Sequence, residues 1–172
     1  HLLPQRFYAH LSPGVESVFG GTYDLEPHGE HLKMALVHRA AVETCACPDA
    51  CALGPGDGEV MAGFYQRCYP GNWFDPRILA TDQYLGIRTE GQQFSVAGIH
   101  VYSPAYKVAA WGNSAASPSH SNRGYGRQVT ARTCQSLLAG VTHIGLNVKA
   151  DNHAVISCYR KLGFETVASY GE

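Results

Sequence analysis

The stretch Asn122-Arg123-Gly124-Tyr125-Gly126-Arg127 sets two glycines and two arginines at the start of a segment that otherwise reads as a helix. Glycine disfavours helices, so its presence twice at a helix start asks for a reason. Lacking a Cβ, Gly124 and Gly126 would let a bulky group reach the main chain. The N–H groups of a first helical turn have no intrahelical acceptor, and the helix dipole adds partial positive charge beside them. Such a place suits an anion, phosphate best of all. Arg123 and Arg127 could add charge-assisted bonds to its oxygens. The plain alternative is a turn with a structural purpose only. No Lys-Ser or Lys-Thr follows, so this is not a Walker loop, and the mostly antiparallel strands expected around it do not suit a dinucleotide fold. Cys45, Cys47 and Cys51, with His38 nearby, raise the question of zinc. Their spacing is not that of a zinc finger and no second cysteine pair follows, so no metal site is expected.

The elements that must position the loop can be read on both sides of it. Residues 106–117 predict a strand that enters the loop and stops before Pro118. A helix is expected over 125–139, with Gly140 at its C′ position. Ile144, Leu146 and Val148 alternate with His143, Gly145 and Asn147 as in a strand. A second helix follows, capped by Asn152, with Val155, Ile156, Tyr159 and Leu162 on one stripe. Gly163 ends it and a last strand begins at Phe164. Upstream, Val60, Met61, Phe64 and Cys68 lie at helical spacing before Pro70. An aromatic loop comes next, then two strands around the turn Glu90-Gly91. The first forty residues read as a helical lead-in followed by strands at Tyr23-Asp24-Leu25 and from His31 to Leu36, and 43–59 reads as loop. The pattern predicts an α/β (α+β) layered domain over 51–172, preceded by a helix-and-strand extension over 1–50.

Taken together, "SNRGYG" before a helix and "HIGLNVKADNHAVISCYRKLGF" after it resemble the acyl-CoA-binding half of the GCN5-related N-acetyltransferases (GNAT). The resemblance is sharp over about 107–170 and diffuse over 55–106. It implies a central, mostly antiparallel sheet flanked by helices, with two strands splayed to admit acetyl-CoA. In that family a loop of pattern Arg/Gln-x-x-Gly-x-Gly/Ala grips the pyrophosphate. Here Ser121 takes the Arg/Gln position, and Ser121, Asn122, Arg123, Gly124, Tyr125, Gly126 and Arg127 would form the grip. Ala115 and Ala116 would offer backbone groups to the pantetheine arm, and Asn152 and Tyr159 match the later segment along it. The resemblance makes Tyr159 the group that assists the departing thiolate; otherwise it is part of a core stripe. Many relatives carry a glutamate base on the strand before the loop, whereas "AAWGNSAAS" holds no carboxylate. Asn113 could orient a water there. His100 is the candidate base, because imidazole ordinarily titrates near neutral pH, or else a structural histidine. By period two it shares a face with Tyr102. Tyr69, Asn72, Trp73 and Phe74 would wall the acceptor pocket with Tyr102, or else plug the core beneath a loop. The implied reaction transfers acetyl to the amine of a small molecule or peptide by direct attack in a ternary complex. A non-catalytic acyl-CoA-binding module, or transfer of another acyl group or to another acceptor, stands beside it.

Composition sets the outer bounds. The chain has 172 residues, 45% hydrophobic and 16% charged, which suits one domain with a real core. A formal net charge of −1 gives no broad surface for nucleic acid or anionic lipid. No apolar run approaches the roughly 20 residues of a membrane span. The chain opens on His1, which fits a trimmed chain or a piece of a larger protein. Six cysteines, two of them (Cys134 and Cys158) on helix faces expected to be buried, fit a reducing, cytoplasmic setting.

Overall fold

A computed structural model of the chain describes residues 3–72, 74–89, 92–120 and 123–172. Strands β1 (Glu30–Leu36), β2 (Ala50–Leu53), β3 (Tyr84–Thr89), β4 (Gln92–Ser103), β5 (Val108–Ala116), β6 (His143–Lys149) and β7 (Phe164–Gly171) share one sheet in the order β2-β3-β4-β5-β6-β1-β7. Every neighbouring pair is antiparallel except β5 and β6, which are parallel. Five α-helices are described: α1 (Glu16–Phe19), α2 (Ala40–Glu43), α3 (Gly58–Cys68), α4 (Tyr125–Leu138) and α5 (His153–Lys161). No helix among the described residues is long and apolar enough to cross a membrane.

The sheet separates two cores. Val129, Cys134 and Leu137 of α4 and Ile156 and Tyr159 of α5 pack with Ala97, Trp111, Ile144 and Leu146 of the strands. Met61, Phe64 and Tyr65 of α3 pack with Leu53, Tyr84 and Val96. Val96 and Ala97 are adjacent on β4 yet join different cores, as the period-two alternation of a strand requires. Thus α4 and α5 cover one face and α3 the other.

Two expectations are corrected here. Tyr23-Asp24-Leu25 is not a strand: Leu25 is exposed, and the Tyr23 ring packs against Phe7 and Phe19 instead of aligning a backbone. The stretch read as loop, with α2 just before it, contains the edge strand β2, whose Ala50-Cys51-Ala52-Leu53 pairs with β3. Its small residues give no β-branched signal, which is why turn residues around them dominated the reading. From the first fifty residues, β1 lies between β6 and β7 and bonds to both.

The start of α3 is tied to the sheet through Asp57. Its carboxylate accepts from the Gly54 N–H at 2.8 Å and from Arg88 Nη2 at 2.5 Å. The backbone bond first, then the guanidinium, holds the Asp57 carboxyl below its usual range. A lowered native pKa gives stability that is present above the unfolded value of about 4 and is lost as pH falls through the native one. Asp57→Asn is therefore expected to lower Tm at pH 7 by about 2–4 °C, the equivalent of ~1 kcal/mol in a chain of this size. Thermal melts from pH 7 to pH 3 check it, the gap to the native protein narrowing below about pH 4.

Candidate active site

The parallel pair β5–β6 is short. It runs from Val108 opposite His143 to Trp111 opposite Leu146 and stops. Beyond that point β5 stays paired to β4, through Ala115 with Val96 and Ala116 with Ser95, while Asn147, Val148 and Lys149 of β6 pair only with β1. The facing edges of 112–116 and 147–149 thus diverge into a cleft. A bulge marks the fork: between Val96 opposite Ala115 and Gly98 opposite Gly112, β5 carries one residue more than β4. Asn113 sits in it with φ +50°, a left-handed conformation uncommon outside glycine.

At the open end of the cleft α4 begins. Gly124 is its N-cap at φ +78°, where other residues are strained, and a Cβ there would meet nothing within 4 Å. The first intrahelical bond runs from the Gln128 N–H to the Gly124 carbonyl, the N-cap glycine has no side chain to cap with, and the first turn holds no acidic residue. A Cβ on Gly126 would be 4.0 Å from the Ala116 Cβ, which sets the loop against the end of β5. Arg123 and Arg127 are exposed, and neither forms an ion pair among the described residues. The arrangement fits a diphosphate: open space at Gly124, a helix start and two exposed cations in no ion pair among the described residues. Ser121 and Asn122, also expected in this loop, lie outside the described residues.

At the closed end stands Tyr159. Its ring is packed edge-on to Trp111 with centroids 5.0 Å apart and lies 5.9 Å from the Phe164 ring. Trp111 is the last β5 residue paired to β6, so Tyr159 stands at the fork. Burial, more than the neighbouring Cys158, Cys134 and Tyr69, pushes its phenol well above the ordinary value, so it remains a donor at any physiological pH. No hydrogen bond to its hydroxyl is formed by the described residues. Its core packing and its position at the fork hold together; the two readings of Tyr159 are compatible.

On the opposite face, Tyr69, Asn72 and Phe74 line a cleft of about 300 Å³ together with Tyr65, Gln66 and the Pro70-Gly71 turn. Trp73 lies outside the described residues. Phe74 packs on Tyr65 at 4.8 Å, and the Asn72 Nδ2 is buried without a partner. No described lining residue is charged. The Tyr65 hydroxyl donates to the Asn113 carbonyl, and Asn113 Nδ2 donates to the Tyr84 hydroxyl at 3.0 Å. The aromatic cleft therefore touches the bulge directly.

The remaining candidates divide. His100 is exposed beside the fork, its ring so near Gly112 that a Cβ there would come within 2.7 Å of Nε2. Tyr102 is not brought to the cleft. The β4–β5 register slips between Ile99 and Val101, which breaks the period-two relation to His100, and Tyr102 ends with its hydroxyl against Gly140. That contact accounts for Gly140, which is not left-handed. Asn152 uses its Oδ1 to accept from the Val155 N–H at 3.4 Å, a helix cap at the end of β6. Cys45 and Cys47 are half-buried against the larger core, His38 bonds Glu165 at 2.7 Å, and among the described residues no cluster of three His, Cys, Asp or Glu side chains could hold a metal.

Residues 57–164, well over half the chain, match the family model described as the acetyltransferase (GNAT) family. The chain belongs to the GNAT family. Among solved structures, a GNAT protein from Novosphingobium aromaticivorans aligns with TM-score 0.72 and 21% identity over 85% of this chain and 64% of its own. An acetyltransferase from Colwellia psychrerythraea gives TM-score 0.72 and 9% identity over 95% and 62%. The chain thus spans less than two thirds of the length of either. The ribosomal-protein-S18-alanine N-acetyltransferase of Escherichia coli gives TM-score 0.55 and 23% identity over 66% and 75%. At such identities the likeness is one of fold. No curated protein sequence matches.

Within this GNAT fold, Tyr65, Tyr84 and Trp111 escaped sequence reasoning. Tyr65 precedes Tyr69 by one helical turn, a spacing that could have revealed it. Nothing local marks Trp111 as the residue where two strands part, since strand pairing is a long-range property.

Proposed function

We propose that the chain is an acetyl-CoA-dependent N-acetyltransferase that acts by direct attack of an amine. The observation carrying this reading is the fork: β5 and β6 part at Trp111 and Leu146 between the glycine start of α4 and Tyr159. Acetyl-CoA would supply the activated thioester and the diphosphate. Gly124, Gly126 and the first-turn N–H groups of α4 bind the diphosphate, with Arg123 and Arg127 adding charge, and the diverging edges near Ala115 and Ala116 bond the amides of the arm. Tyr159 donates a hydrogen bond to the sulfur as the C–S bond breaks and negative charge builds there. His100 takes the proton that the amine loses on forming the new C–N bond. Tyr69, Asn72 and Phe74 hold the acceptor. Their uncharged cleft of about 300 Å³ is at the small end of ligand pockets and favours a small-molecule amine.

The test is calorimetry with acetyl-CoA followed by thiol release across a panel of amines. Binding with turnover is expected; binding without turnover for any amine points to the non-catalytic module instead. In the same assay, replacing Arg123 and Arg127 together by alanine is expected to weaken acetyl-CoA binding about tenfold and to flatten its salt dependence, as the loss of two charge-assisted contacts should. His100→Gln is expected to lower kcat by about 10²-fold.

A further inference from the structure

The fork needs an explanation of its own. Beyond Trp111 and Leu146 two strand edges face one another with backbone groups that could pair, and zipping them further would close the cleft. What opposes closure is the bulge, held in a left-handed conformation by a residue that is not glycine. Such a conformation is uncommon outside glycine, and here it is kept by what surrounds it.

Those surroundings are two tyrosines on the α3 face. We propose that Tyr65 is a positioning residue for the acyl donor: its hydroxyl, bonded to the Asn113 carbonyl, tilts that carbonyl out of the sheet and keeps β5 parted from β6. Tyr84 supports the same residue from the side-chain end by accepting from Asn113 Nδ2. Both tyrosines are buried, Tyr84 completely and Tyr65 at 3% exposure, so neither bond has water as a ready substitute. Burial also keeps both phenols protonated, so the Tyr65 bond does not switch off near neutrality. Tyr65 acts through the backbone of Asn113 and not on the reacting atoms. Its ring, in contrast, forms a wall of the acceptor cleft. One side chain thus carries two separable parts, a ring facing one substrate and a hydroxyl shaping the site of the other.

This inference rests on the reading that the fork binds acetyl-CoA, and the experiment separates the two. The dissociation constant for acetyl-CoA and the Tm are measured for the native chain, Tyr65→Phe, Asn113→Gly, Asn113→Ala and the core control Leu79→Val. Leu79 is fully buried in the same core and makes no contact with the bulge in the bonds described above. Tyr65→Phe keeps the ring and is expected to weaken acetyl-CoA binding about five- to tenfold, the scale of one buried hydrogen bond. Leu79→Val is expected to lower Tm without that loss. Asn113→Gly, which tolerates positive φ, is expected to bind more tightly than Asn113→Ala, which does not. Native binding with an unaltered constant in Tyr65→Phe overturns this inference alone, as does an equal loss in Leu79→Val. Failure of the native chain to bind acetyl-CoA overturns the underlying reading and this inference with it.

Discussion

Replacing Tyr159 by phenylalanine is expected to lower kcat by about 10²-fold or more, with acetyl-CoA affinity changed less than about threefold. The substitution leaves the ring between Trp111 and Phe164, so the packing around the fork survives. It removes only the hydroxyl, which no described residue holds. The direction of its pKa shift decides what that hydroxyl can do. Burial disfavours the phenolate, so the native value lies above the ordinary one and the proton is retained as pH rises. Tyr159 cannot act as a base near neutrality, and handing its proton fully to a thiolate would run uphill. A hydrogen bond that strengthens as charge reaches sulfur carries no such cost. Accordingly, pH–rate profiles should show no alkaline limb from Tyr159 between pH 7 and about pH 10, the ordinary phenol value. An alkaline limb near pH 9 in the native chain that vanishes in Tyr159→Phe would contradict this role, as would an unchanged kcat.

Gly163→Ala is expected to be the most damaging single methyl group in the chain, lowering Tm by about 10 °C or more. Gly163 has φ +90°, which costs an alanine roughly 1–2 kcal/mol. A Cβ would also overlap the His38 carbonyl oxygen and come within 2.8 Å of its carbon. Backbone cannot yield as a side-chain tip can. The Gly163 carbonyl meanwhile accepts from the Val37 and His38 N–H groups at 3.0 Å each, so the turn after α5 is locked to the end of β1. Each kcal/mol lost lowers Tm by about 2–4 °C at this size, and strain plus overlap amounts to several. A calorimetric melt reads it directly; a drop under about 3 °C would mean the turn relaxes freely. The glycine of the Tyr-x-x-x-Gly-Phe segment is on this account a requirement of the fold, while the tyrosine is the residue proposed for the site.

The contrast between those two residues shows what the sequence could disclose. α3, α4, α5 and strands β3 to β7 were legible because each has its own period, cap or terminating glycine, as with Asn152 and Gly163. The loop before α4 stood out because its two glycines and two arginines lie between residues 123 and 127. β2 was hidden by small residues among turn formers. The join of β1 to β6 and β7 spans more than a hundred residues, and no local pattern records it. Tyr102 was misplaced because a bulge in β4 breaks the alternation on which a face assignment depends. Asn113 and Tyr65 meet only after helix and sheet have packed.

Strand β1 completes the sheet between two strands made more than a hundred residues after it, and this has a consequence for biogenesis. On the ribosome, residues 30–36 emerge long before 143–149 and 164–171, their only sheet partners. At about 5–20 residues per second, that half-apolar strand waits several seconds with both edges bare. Nascent chains stalled before residue 143 should therefore recruit holdase chaperones through this segment, and full-length chains should release them.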